Sequence, residues 1–174
     1  YANIIWHYGR GLAYARKQQP EAAKMELQHI RDSMPSALLH ESPLAFNPGI
    51  AAVQVAEKIL EGVIAEESNQ YPLVIRLLED AVNKETAMLY NEPRDWPHPA
   101  RQYLGHALLK AQQYAAAEKV YREDLTVNPN NGWSLTGLAE ALQHQEKEKE
   151  AKKVRQQAKA AFVESSVKIT ASVF

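Results

Sequence analysis

Three short stretches carry residue types that catalysis uses, and each fails on what surrounds it. Gly132-Trp-Ser134-Leu-Thr-Gly137 comes close to the elbow on which a hydrolase presents a nucleophilic serine. That elbow needs a strand leading in and its second glycine one residue earlier, so Ser134 reads as a residue in the first turn of a helix. His40-Glu41 begins as a zinc-protease helix does, but Leu44 stands where the second histidine belongs. Gly9-Arg-Gly11 lacks the third glycine and the preceding strand of a dinucleotide loop. The six histidines are scattered, and none is paired at i, i+4. No metal, cofactor or catalytic residue is expected, and the chain reads as a non-enzyme.

The elements that would position any site are helical. Leu104, Ala107, Leu108 and Ala111 recur at helical spacing, and Ala117, Val120, Tyr121 and Leu125 do so again. Only Gln112-Gln113 separates them, which leaves room for an antiparallel helical hairpin and nothing else. Pro129 stops the second helix, and Asn130-Asn131-Gly132 opens the next turn. The hairpin then recurs. Counting from His98, Gly105 is residue 8, Ala117 residue 20, Tyr121 residue 24 and Pro129 residue 32. Counting from Gly132, Ala139 and Ala151 take places 8 and 20; from Ile4, Gly11, Ala23, Leu27 and Pro35 take 8, 20, 24 and 32. A unit from Val55 places Gly62 at 8 and Leu78 at 24, with Val74 where alanine is expected. Small residues at 8 and 20 let two helices approach closely, and stacking neighbours supplies the core that one hairpin lacks.

This pattern resembles the tetratricopeptide repeat, a helix–turn–helix unit of about 34 residues. The run from Tyr90 through Glu92-Pro-Arg-Asp-Trp-Pro-His-Pro to Gly105, with Tyr121-Arg-Glu-Asp-Leu and Asn131-Gly-Trp-Ser-Leu, is similar to the C-terminal part of long bacterial proteins of that family, most of them uncharacterised. The resemblance implies a fragment of a longer protein whose N-terminal repeats are absent. It implies an all-α, right-handed superhelical solenoid of about four hairpins with a C-terminal capping helix. The units run about 4–35, 55–86, 98–131 and 132–165 in a single domain, with insertions about 36–47 and 87–97 and a cap about 163–174. The cap lacks an expected tryptophan.

In the first insertion Pro35, Pro43 and Pro48 bracket Leu38, Leu39, Leu44 and Phe46, read as apolar anchors of an ordered loop. In the second, three prolines after Glu92 exclude a regular helix, and Trp96 reads as a packing anchor. The charged run from Glu146 to Lys153 reads as a solvated helix face, with Glu146/Lys149 and Glu148/Lys152 at pairing distance. Hydrophobic residues make up 45% of the 174, which argues against disorder. A net charge of −1 gives no footprint for nucleic acid, and no apolar run is long enough to span a membrane. With no cysteine, disulfides and thiolate metal sites are excluded, while cytoplasm and periplasm stay equally open.

Arg101 and Asp124 occupy places 4 and 27 of their unit, where the repeat usually has a large aromatic and a small residue. They are expected to form a partly buried ion pair across the hairpin. With Gly11, Gly62, Gly105 and Ala117 they make up the structural set. In the family, the inner wall is lined by the first helix of each unit. The resemblance therefore places a peptide groove at Tyr8, Leu12, Gln102, Tyr103, His106, Lys110, Trp133, Glu140, Gln143 and His144. The lysine and asparagine that some members use to clamp a terminal carboxylate are absent: the matching places hold Tyr8/Leu12, Ile59/Val63, Gln102/His106 and Thr136/Glu140. The expected function is a non-catalytic scaffold for protein or peptide partners. The alternatives are a structural segment packing within a longer chain or a homo-oligomer and, last, a histidine-based metal or substrate site.

Overall fold

The computed structural model describes residues 1–41, 44, 46–167 and 169–173; Pro43 and Phe174 of the expected insertion and cap lie outside them. Among the described residues the chain is all-helical, with α1 Ala2–Arg16, α2 Pro20–Ser33, α3 Ala37–Glu41, α4 Gly49–Ala65, α5 Tyr71–Thr86, α6 Ala100–Lys110, α7 Tyr114–Val127, α8 Gly132–His144 and α9 Glu148–Ala161. None of these helices is long and apolar enough to cross a membrane. The chain divides into two compact units, Tyr1–Ala100 and Arg101–Phe174.

One turn closes every hairpin. Gln18, Asn69, Gln112 and Glu146 all have positive φ, between 53° and 60°. They are spaced 51, 43 and 34 residues apart, the spacings of Gly11, Gly62, Gly105 and Ala139. Each donates its N–H three residues back: Gln18 to Ala15, Asn69 to Glu66, Gln112 to Leu109 and Glu146 to Gln143. In three of the turns the next N–H reaches five residues back, Gln19 to Tyr14, Gln113 to Leu108 and Lys147 to Leu142. This double closure satisfies the orphan carbonyls of the first helix and turns the chain straight into the second. Glu146 therefore sits in the turn, outside α9, and does not pair along a helix as the charge run suggests.

In the first unit, α1–α2 and α4–α5 are the two hairpins, and α4 packs on both α1 and α2. Gly11 admits the Leu60 side chain, to which an added Cβ would come within 2.5 Å; Gly62 admits Leu78 in the same way at 2.8 Å. The first insertion forms the short α3 and buries Leu39, but Leu38 and Phe46 are 74% and 67% exposed and anchor nothing. Its real anchor is polar. Buried Asn47 clasps the backbone of Leu89, accepting from its N–H at 2.7 Å and donating to its carbonyl at 2.9 Å. The same amide donates to Asp95 at 2.8 Å, and Asn91 donates to the other Asp95 oxygen at 2.9 Å. Desolvation pushes the Asp95 carboxyl up, but the bonds from Asn47 and Asn91 outweigh it and hold its pKa below the ordinary value. The two insertions are thus one spatial feature. Trp96 lies buried beside them, its ring 5.2 Å from that of Tyr8.

The second unit is organised around Tyr121 of α7. The far end of its ring lies against Gly105 of α6 and Gly137 of α8, and a Cβ on either glycine would overlap it. Its hydroxyl meets Ser172 Oγ at 2.6 Å, with both residues fully buried. Residues 163–173 are therefore not the expected capping helix: their described residues form turns and bends. Val163, Val167, Ile169, Thr170 and Val173 are β-branched and poor helix formers, and the Tyr121–Ser172 bond holds the segment irregular. Glu118 on α7 ties the α8–α9 turn, accepting from Lys147 at 2.6 Å and Gln145 at 2.8 Å, as well as from Arg122 at 2.9 Å.

Two glycine substitutions test how the helices pack. Gly105→Ala drives a methyl into an enclosed tyrosine ring and should cost about 1–3 kcal/mol in urea unfolding. Gly9→Ala, whose added Cβ meets nothing within 4 Å, should stabilise by roughly 0.5–1 kcal/mol. Burial pushes the Glu118 carboxyl up, yet its hydrogen bonds from Lys147, Arg122 and Gln145 lower it from 4.5 to about 2. A carboxylate with a depressed folded pKa stabilises fully above its unfolded pKa and loses that contribution as pH falls through the folded one. The wild type should therefore lose stability between about pH 4.5 and about pH 2 more steeply than Glu118→Gln, measured by thermal melting across that window.

Candidate functional site

The structure explains the serine motif as packing. Gly132 lies under the Phe162 ring, where an added Cβ would come within 2.5 Å, and Gly137 lies under Tyr121. Between them Ser134, wholly buried, donates to Asp124 Oδ2 at 2.6 Å. The same carboxylate accepts from Asn131 at 2.9 Å and from Asn128 at 2.8 Å. Asn131 also caps α8, its side chain accepting from the Trp133 N–H at 3.2 Å. Ser134 and Asp124 thus hold the α7–α8 connection, with no imidazole between them to take a proton.

This corrects the expected Arg101–Asp124 pair. Asp124 is spent on the chain that follows it, while a Glu123 carboxylate oxygen lies 3.9 Å from Arg101 Nε. The reason is local: Asn128, Asn131 and Ser134 reach Asp124 across one short turn, whereas a pair with Arg101 must span the hairpin. An acid at place 27 thereby sits where Ile30, Ala81 and Ala158 are buried in the other units.

The ten groove residues separate by burial. Tyr8 and Leu12 are in the core of the first unit, Tyr8 enclosed by Trp96 and, at 5.9 Å, by the ring of His98. Burial lowers the His98 pKa below the ordinary imidazole value. In α6 Gln102 and Tyr103 are also buried, because this helix is enclosed almost all round; Arg101, His106 and Lys110 alone escape. These four residues line no open wall. His106 and Lys110 on α6, with Glu140, Gln143 and His144 on α8, do reach the surface. Trp133 is half-buried, with its ring edge-on to Phe162 at 5.4 Å. His144 stacks on Tyr114 with ring centroids 4.4 Å apart.

Beside this wall is a cleft of about 490 Å³ that the sequence did not reveal. Glu140 and Gln143 form one side and Arg155 and Lys159 of α9 the other, over Ala158 and Phe162; Ile169 and Thr170 of the last segment complete it. Arg155 donates to Gln143 at 2.7 Å across the cleft. Position 24, an apolar packing place in the other units, is Arg155 here; that polar residue was the available signal. In the first unit, buried Glu26 receives His7 Nδ1 at 2.6 Å and Arg10 at 3.0 Å, and His7 stacks on His29 at 4.8 Å. Among the described residues no three His, Asp or Glu side chains are grouped to hold a metal ion.

The chain matches no family model, no curated protein and no solved structure. The geometry alone therefore carries the functional reading. Asp124→Ala tests the reassigned carboxylate: it strands Ser134, Asn128 and Asn131 together and should cost about 3 kcal/mol or more in chemical denaturation.

Proposed function

We propose that the chain is a tetratricopeptide-type scaffold that binds an extended peptide along the first helices of its units and performs no catalysis. The observation that carries this reading is the recurrence of one left-handed turn residue at the same place in four hairpins, Gln18, Asn69, Gln112 and Glu146. Equal turns make equal hairpins. Equal hairpins stacked in sequence give the solenoid that such binding needs. The wall that remains accessible, His106 and Lys110 with Glu140 and Gln143, mixes an imidazole, an amide and both charges. That mixture suits the backbone and side chains of a peptide better than a lipid or a nucleic-acid backbone.

The test is a random-peptide library selected on the folded chain, followed by titration of the recovered peptides. Replacing the exposed Lys110 and Glu140 together by alanine should weaken binding at least about tenfold while the melting temperature stays nearly unchanged, since exposed positions seldom shift stability by more than about 0.5 kcal/mol. A library that yields nothing, with a protein that sediments as an oligomer, favours the structural reading instead. Trp6 and Met25, 53% and 65% exposed on α1 and α2, are the surface for that alternative.

A further inference from the structure

We propose that the first-helix wall of the second unit recognises an extended segment with a small hydroxyl residue followed by a branched apolar one, and that residues 169–173 are its resident, displaceable occupant. This deepens the peptide-binding reading and rests on it.

The geometry runs through Tyr121. The residue belongs to α7, a second helix, yet the far end of its ring lies between Gly105 of α6 and Gly137 of α8, both first helices. Only bare backbone on both sides leaves room for the ring to pass. The far end of the ring is thereby carried into the seam between α6 and α8, with the hydroxyl against Gly137. There it meets Ser172 Oγ at 2.6 Å, and Val173 is buried next to it. The segment arrives from the end of the last hairpin, where Ile169 and Thr170 line the cleft with Glu140 and Gln143. Glu140 and Gln143 belong to the wall that the peptide reading assigns to a partner.

The chemistry of the seat defines the ligand. A buried phenol hydroxyl needs a hydrogen-bonding partner, because an unpaired one is costly. The enclosed position admits a serine-sized side chain, and the next residue fills an apolar site that Val173 occupies. An exposed stretch leads into the segment. Residues 163–167 are all exposed, and Ser165 bonds to Val167 within that stretch. The Tyr121–Ser172 contact is a side-chain hydrogen bond that ties the segment to the helices. A ligand with the same Ser-Val chemistry would replace each contact that it displaces.

The experiment uses the full chain and a fluorescein-labelled peptide with the sequence of residues 169–174. The double variant Ser172→Asp, Val173→Asp should expel the segment, seen as fast hydrogen exchange of its amides, and bind the peptide about tenfold or more tighter than wild type. A resident occupant lowers apparent affinity by the fraction of open wall. Adding Tyr121→Phe should reverse most of that gain. If the double variant does not fold, Ser172→Gly is used with the same expected ranking. A folded variant whose segment is released but whose peptide affinity equals that of wild type overturns the proposal. A library-selected peptide that binds while residues 169–173 keep their exchange protection also overturns it, and leaves the peptide-binding reading standing. Failure of every selected peptide on both wild type and released variant removes the peptide-binding reading itself, whereas the labelled segment still reports on its own seat.

Discussion

The short left-handed reversal between paired helices is the constraint on which the rest depends. Placing a non-glycine residue at positive φ costs about 1 kcal/mol or more, and Gln18, Gln112 and Glu146 accept that strain. The backbone bonds of the turn offset it by satisfying carbonyls at the end of the first helix, which would otherwise face water or the core unpaired. The turn is so short that the second helix must start at once and run back along the first. The buried small or branched residues at place 20, Ala23, Val74, Ala117 and Ala151, then fall at the level where the helices approach. Change the turn length, and that level is lost.

The two units reinforce this common hairpin by different means. The first uses polar atoms: Asn47, Asn91 and Asp95 join two irregular segments that are 42 or more residues apart in sequence. Such segments expose backbone groups that no helix satisfies, and one buried amide bonded to both the N–H and the carbonyl of a remote residue satisfies two of them together. The second unit uses shape. Tyr121 fills the space that Gly105 and Gly137 vacate, so three helices share one ring, and Ser172 completes its only polar atom. Burial pushes the Tyr121 phenol pKa up, so the group stays neutral and suited to a short hydrogen bond.

The same economy governs the residues that resembled chemistry. Ser134 and Asp124 look reactive in the sequence, but in the fold they close a turn. Accessible polar residues collect on one edge of α6 and on α8 because the remaining faces of those helices are needed for packing. A binding surface in such a chain is what packing leaves over, and its character is set by a few positions.

The sequence by itself determined the helices and their pairing. Pro20–Ser33 and Tyr71–Thr86 have the bounds their pattern predicts, because proline in the first turn and helical periodicity are local signals. The 51- and 43-residue glycine spacings recur in the turn residues Gln18, Asn69 and Gln112. Only the tertiary structure decided what those signals meant in space. That Asn47 holds Leu89, that Asp124 serves Ser134 rather than Arg101, and that Ser172 seats on Tyr121 all depend on side-chain reach between segments distant in sequence or across a turn. The groove residues divided for the same reason. Periodicity fixes which way a helix face points, but whether Tyr8 meets solvent depends on Trp96, 88 residues later, and no local pattern records that.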